Sequence, residues 1–246
     1  SPRACPRFCR YHSAAWPTLA ELAKSMNWKT AFRSFYYENA KEPDDIKLDP
    51  KTTALLVIDI QNTYLEKSDD EVEAVRWAPF LERMNSLVIP NTAMLIDWAR
   101  GSGVEVMFAR IACETENGRD RSLSQKKPGF NYLLLPKSQQ DSQIISALVP
   151  KGDEIVVTKT TDSALTGTNL RLMLHNIGIK NVIVAGIFTD QCISSSVRSL
   201  CDESFNVLVV HDACAAATDA LHNSELQVIN MIYCHVVSTI EVQTFL

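Results

Sequence analysis

Five apolar residues in a row, Ala54-Leu55-Leu56-Val57-Ile58, stop abruptly at Asp59. A strand with one wet face alternates apolar and polar residues. An unbroken run marks a strand covered on both faces, as in the middle of a parallel sheet. Further β-rich runs lie at 104–109, at 154–158 before Lys159, at 181–185 before Gly186, at 207–210 before a turn His211-Asp212-Ala213, and around 235–237. Helical patterns separate these runs. The longest spans 84–100 and ends at Gly101 and Gly103. A short one covers 144–148. Another covers 168–177, capped by Thr168 and stopped by Gly178. Two more start near Cys192 and Thr218 and run to about Glu203 and Ile232. Six strands alternating with helices predict a three-layer α/β/α domain around a six-stranded, mostly parallel, doubly wound sheet.

The chain length of 246 residues fits one such domain. A net charge of −5 gives no basic footprint for nucleic acid and disfavours an anionic membrane surface. No apolar run approaches the roughly 18 residues that a membrane span needs. The seven cysteines are odd in number and irregularly spaced, which predicts a reducing, cytoplasmic setting and not a disulfide framework. Residues 1–25 stand apart: Arg3, Arg7 and Arg10 precede the first acid, Glu21, and the first methionine is Met26. They read as a non-native or targeting extension, the latter an organellar transit peptide. Residues 26–50 read as an N-terminal extension packing on the domain or on a partner subunit, and residues 51–246 as the domain itself.

In open α/β sheets, ligands bind beyond the carboxyl ends of the strands. The first strand delivers Asp59 to that edge, the third Lys159, and the fourth leads through a glycine turn to Cys192. An acid, a cation and a thiol on one edge suit acyl transfer. A helix N-terminus and a nearby lysine favour a thiolate at Cys192 and lower its pKa. Asp59 can take the thiol proton and return it to a leaving amine, and backbone N–H groups of the turn can hold an oxyanion. Gln61, Tyr64, Trp77 and Phe130 are candidates for lining the pocket. The long aperiodic segment at about 113–136 carries Arg119, Arg121, Lys126 and Lys127, which suit a substrate carboxylate. His12, His175, His211, His222 and His235 form no HxxxH pair, so no catalytic zinc is expected, and His211 reads as structural. No GxGxxG, GxxxxGK[ST] or GxSxG motif occurs.

Three stretches, ALLVIDIQNTY, EIVVTKTTDSALTGTNLRLML and VIVAGIFTDQCISSSVRS, together resemble the isochorismatase-like cysteine hydrolase superfamily. The resemblance runs from about Thr52 to the C-terminus. It implies a triad of Asp59, Lys159 and Cys192, a cis peptide between Ile187 and Phe188, and an oxyanion site from the backbone N–H groups of Phe188 and Cys192. It implies no cofactor and no metal, and a homo-oligomer, dimer or tetramer. Cys192 separates the chain from vinyl-ether-cleaving isochorismatases. The stretch after the second strand lacks the histidine of metal-dependent nicotinamidases. What remains is similar to N-carbamoylsarcosine, ureidoacrylate, biuret and maleamate amidohydrolases, which implies a small amide, ureido or carbamoyl substrate and a thioester intermediate. The alternative is a non-catalytic interaction module that keeps the fold, with an occluded pocket and an unreactive Cys192.

Overall fold

The computed structural model describes residues 27–129 and 133–246. Its sheet contains β1 (Thr53–Ile58), β2 (Glu105–Ile111), β3 (Ile155–Lys159), β4 (Asn181–Ile187), β5 (Asn206–Ala215) and β6 (His235–Val237). The strands lie in the order β3-β2-β1-β4-β5-β6. All five pairings are parallel, so the expected "mostly parallel" sheet is parallel throughout. Every residue of β1 is buried, as its unbroken apolar run requires.

Alternation along the strands splits the core into two layers. Leu55, Val57, Val106, Phe108 and Ile183 pack on one face with Phe80 and Met84, Leu95 and Ala99, and Val242. Those partners come from α1 (Glu71–Arg83) with the wide turn after it, α2 (Ile89–Ser102), and a short C-terminal helix Thr239–Gln243. Ala54, Leu56, Ile58, Met107 and Val184 pack on the other face with Leu174, Val197 and Leu226. These belong to α3 (Leu170–Ile177), α4 (Ser194–Asp202) and α5 (Asp219–Ile229). No helix among the described residues is long and apolar enough to cross a membrane.

Three sequence expectations change. The helix expected over 84–100 is the second half of a longer path. It begins at Glu71, with Asp70 as a cap accepting from the Glu73 backbone at 3.0 Å. That path carries Pro79 within α1 and a π-helical turn over Met84–Val88. The turn expected at His211-Asp212-Ala213 is strand, because β5 continues past a register shift to pair Cys214 with Gly186 and Ala215 with Ile187. The short helix expected at 144–148 is a single 3-10 turn, Ser146–Leu148.

The segment before β1 packs on the domain near its C-terminus. Trp28 donates its backbone N–H to Glu241 at 2.9 Å and meets Phe245 edge-on, and Asn230 donates to the carbonyls of Ala31 and Phe32. The extension at residues 1–25, the methionine at 26 and Phe130 lie outside the described residues.

The order in which strands are added reverses between β1 and β4, the place where an open sheet leaves a crevice. Gly186 closes the two strand ends onto each other. At its φ of +127°, any Cβ would sit 2.0 Å from the Ile58 carbonyl oxygen, so only glycine fits. The next residue on β1, Asp59, takes a φ of +57°, the left-handed region that non-glycine residues seldom occupy outside special sites.

Candidate active site

Asp59 leaves β1 with its backbone N–H held by the Ala109 carbonyl at 2.9 Å. Its carboxylate turns toward Lys159, which closes β3 two strands away. Lys159 Nζ stands 2.7 Å from Asp59 Oδ2, with the lysine side chain fully buried and that of Asp59 2% exposed. The same Nζ donates to the Thr161 carbonyl at 3.1 Å and approaches Cys192 Sγ at 3.4 Å. The three sequence candidates therefore meet in one cluster. Lys159 sits between the acid and the sulfur. Asp59 Oδ1 has no hydrogen-bond donor among the described residues.

Cys192 lies within a π-helical turn, Thr189–Ile193, that leads from β4 into α4. The peptide bond entering that turn, Ile187–Phe188, is cis. Burial pushes the Cys192 thiol well above its ordinary value, and the charge of Asp59 adds to the rise; Lys159 only partly opposes them. This corrects the expected thiolate: the residue is buried, and desolvation outweighs the helix start and the lysine. Burial thus favours the neutral thiol at Cys192. Burial likewise raises the Asp59 carboxyl, with Lys159 pulling it back, which makes Asp59 a stronger proton acceptor than an exposed aspartate. Burial works against the Lys159 ammonium, but Asp59 and Cys192 outweigh it and hold the proton on.

A cavity of about 770 Å³ opens onto this cluster. Tyr64, Trp77, Phe80 and Phe188 form an aromatic wall, with Tyr64 edge-on to Phe188 at 5.4 Å between centroids. Gln61 does not line the cavity. Its Nε2 donates to the carbonyls of Ile111 and Ser142 at 2.9 and 2.8 Å, and its Oε1 accepts from the Ile111 backbone at 2.9 Å. Both ends of the amide are consumed in tying β1 to β2, a structural job. Among the cations of the long loop, Arg121 lines the cavity; Arg119 is exposed and Lys126 donates to the Arg119 carbonyl.

Two features escaped the sequence. Asp162 lines the cavity three residues beyond Lys159, and Cys192 Sγ donates to its Oδ1 at 3.7 Å. Its place just past a strand end was the available signal. The second feature braces the turn that carries Cys192. His222 Nδ1 meets Thr189 Oγ1 at 2.7 Å and its Nε2 meets Arg83 Nη2 at 2.9 Å. A guanidinium can only donate, so Nε2 is an acceptor and the ring is neutral with its proton on Nδ1. Among the described residues, no group of three or more His, Cys, Asp or Glu side chains is arranged to hold a metal ion.

This brace has a pH signature. Burial first, and the Arg83 charge second, hold His222 down to about 3 from an ordinary 6.5. The unfolded chain therefore takes up this proton first. The stability that His222 contributes is whole above pH 6.5 and drains as the pH falls toward 3. Urea unfolding across that window should lose midpoint more steeply in the wild type than in His222→Asn. Parallel losses in the two proteins would refute the assignment.

An isochorismatase domain matches residues 53–241. The ureidoacrylate amidohydrolase RutB of Acinetobacter baylyi is 27% identical over 189 residues, covering 72% of this chain and 76% of that protein. An Arabidopsis thaliana protein named a probable inactive nicotinamidase is 28% identical, covering 72% of this chain and 87% of its own. A crystal structure of a cysteine hydrolase from Pseudomonas syringae pv. phaseolicola 1448A superposes with a TM-score of 0.69 at 22% identity, over 83% of this chain and 98% of that one. The matched segment opens at the first residue of β1 and closes in the last helix, so it takes in the sheet, the crevice and all three clustered side chains. The chain belongs to the isochorismatase domain family.

Proposed function

We propose that the protein hydrolyses the carbon–nitrogen bond of a small amide, ureido or carbamoyl compound through a thioester on Cys192. The observation that carries this reading is the buried contact series Asp59–Lys159–Cys192, at 2.7 and 3.4 Å, opening on a cavity of small-molecule size. Asp59 takes the thiol proton as Sγ forms a bond to the substrate carbonyl carbon. The carbonyl π electrons move to oxygen, where the backbone N–H groups of Phe188 and Cys192 stabilise the negative charge. Lys159 stabilises the developing sulfur charge. The tetrahedral centre collapses, the carbon–nitrogen bond breaks, and Asp59 gives its proton to the departing nitrogen. Water then adds to the thioester, Asp59 takes its proton, and the carbon–sulfur bond breaks with the proton returned to sulfur. Tyr64 and its aromatic neighbours flank the bound substrate.

The related RutB proteins are named for ureidoacrylate, which makes ureido acids the first compounds to try. Assay of ammonia release should include ureidoacrylate, N-carbamoylglycine, maleamate and biuret, each with and without hydroxylamine. Hydroxylamine intercepts an acyl or carbamoyl group on sulfur, so an amide substrate should yield its hydroxamate, and a ureido or carbamoyl substrate an N-hydroxyurea, at the expense of the hydrolysis product. Ammonia release with neither hydroxamate nor N-hydroxyurea would overturn the covalent route; no release from any amide, urea or carbamoyl compound would overturn the reaction class. A non-catalytic module would be expected to have an occluded pocket, whereas here the cavity reaches Cys192. The proposal carries with it a cytoplasmic homo-oligomer, a dimer or tetramer, which light scattering tests.

A further inference from the structure

A second carboxylate, Asp162, faces the reacting sulfur and is not needed for the proton transfers assigned to Asp59. Its Oδ1 accepts from Gln125 Nε2 at 2.6 Å as well as from the Cys192 thiol at 3.7 Å. Gln125 is itself buried, and its Oε1 accepts from Arg121 Nε at 3.0 Å and Nη2 at 2.8 Å. Arg121 is also buried and donates through Nη1 to the Leu133 carbonyl at 2.5 Å. The polarity of this chain of contacts is fixed by its far end. Arginine only donates, so the Gln125 oxygen must face it and the Gln125 amide must face Asp162. Asp162 is thereby held as an acceptor, its side chain locked in place by two buried neighbours. Its Oδ2 accepts no hydrogen bond from a described residue, while the side chain lines the cavity.

A carboxylate this close to the sulfur is a hindrance to attack unless something donates to it, because it repels the negative charge that grows on sulfur and oxygen. Apart from the thiol itself, the protein supplies one donor, Gln125, and it is taken up by Oδ1. The other must come from the ligand. A carbonyl carbon approached by Sγ brings its substituent atom into the same small volume. An amide or ureido nitrogen presents N–H there; an ester oxygen presents lone pairs to a carboxylate. We propose that Asp162, aimed by Gln125 and Arg121, selects substrates that carry an N–H donor beside the attacked carbonyl and rejects their oxygen isosteres. Asp162 is then a specificity-determining residue at the reacting atoms, and Gln125 and Arg121 are positioning residues. The inference rests on Cys192 being the nucleophile.

A matched pair of small electrophiles tests it without knowledge of the substrate. Iodoacetamide and methyl iodoacetate both alkylate a thiol by displacing iodide and differ in NH2 against OCH3. Their rates at Cys192, followed by peptide mass spectrometry, are compared with their rates at glutathione. The ratio of amide to ester at Cys192 should exceed the glutathione ratio by about tenfold, the discrimination of a partly open site that hydrogen-bonds its ligand. Asp162→Asn keeps the shape and the bond from Gln125, and should bring the ratio down to that of glutathione. Gln125→Leu, which frees the carboxylate to rotate, should bring it part of the way. A role for Asp162 confined to tuning sulfur charge would change both rates together and leave the ratio alone. A wild-type ratio equal to that of glutathione, or one unchanged in Asp162→Asn, would overturn the proposal. A Cys192 inert to both reagents would overturn the nucleophile assignment and this inference with it. A sustained preference with no amide turned over would sink the hydrolase reading and leave the acceptor role standing.

Discussion

Cys192→Ala should lose turnover by about 10⁴-fold or more while folding as the wild type does, since deleting a covalent nucleophile removes the whole acyl-enzyme route. The side chain is small and sits at the rim of the core. Its contacts with Lys159 and Asp162 are both long. Neither loss should move the melting temperature by more than about 3 °C. Cys192→Ser is the sharper variant. It preserves a donor to the same neighbours, yet its hydroxyl is a far weaker acid than a thiol, so Asp59 should fail to activate it. Acid-quenched wild type should carry a substrate-derived mass on the peptide containing Cys192, and neither variant should. A Cys192→Ala protein retaining even a tenth of the activity would show that the sulfur is a bystander.

Lys159→Met should cost both activity and fold. Lys159 is fully buried, and its partner Asp59 is nearly so. Removing the cation leaves a carboxylate stranded out of water, a loss of roughly 3–5 kcal/mol. Asp59 already has its pKa raised by burial, and without Lys159 it rises further. A folded-state carboxyl raised above the unfolded value of 3.8 destabilises progressively as the pH climbs through and beyond that value. The variant should therefore be closest to wild-type stability in acid and furthest from it at neutral pH. The double variant Asp59→Asn/Lys159→Met should recover most of the stability, because a neutral pair of similar volume needs no compensation, and should remain inactive. Recovery of activity along with stability would mean that the ion pair is architectural only.

Much of this arrangement is legible in the residues. The unbroken run Ala54–Ile58 marks a doubly covered strand. Strand-end logic then brings Asp59, Lys159 and Cys192 to one edge without any knowledge of distances. What sequence could not supply was depth. Whether Cys192 rests as thiol or thiolate depends on how far the π-helical turn sinks it, and burial reverses the expectation drawn from the helix start and the lysine. Gln61 looked like a pocket residue because it follows Asp59 closely, but a single change of side-chain direction sends its amide into the backbone of β2. The first half of the long helical path was invisible for another reason. Glu71–Arg83 is polar on average and contains Pro79, so neither its composition nor its punctuation suggests a helix. Asp162 and Gln125 meet only because two loops fold over the same strand ends, a tertiary fact with no local signature.

The residues assigned to chemistry and the residues that shape the cavity come from different kinds of chain. Asp59, Lys159 and the Cys192 turn hang from strand ends that Gly186 clamps together at backbone level. Trp77 and Phe80 belong to α1, and Arg121 and Gln125 to the segment after β2. Reactive groups and cavity wall thus sit on separate stretches of chain. The cavity wall can therefore be varied by randomising lining positions of α1 and of the segment after β2 while the crevice residues Asp59, Lys159 and Cys192 stay as they are.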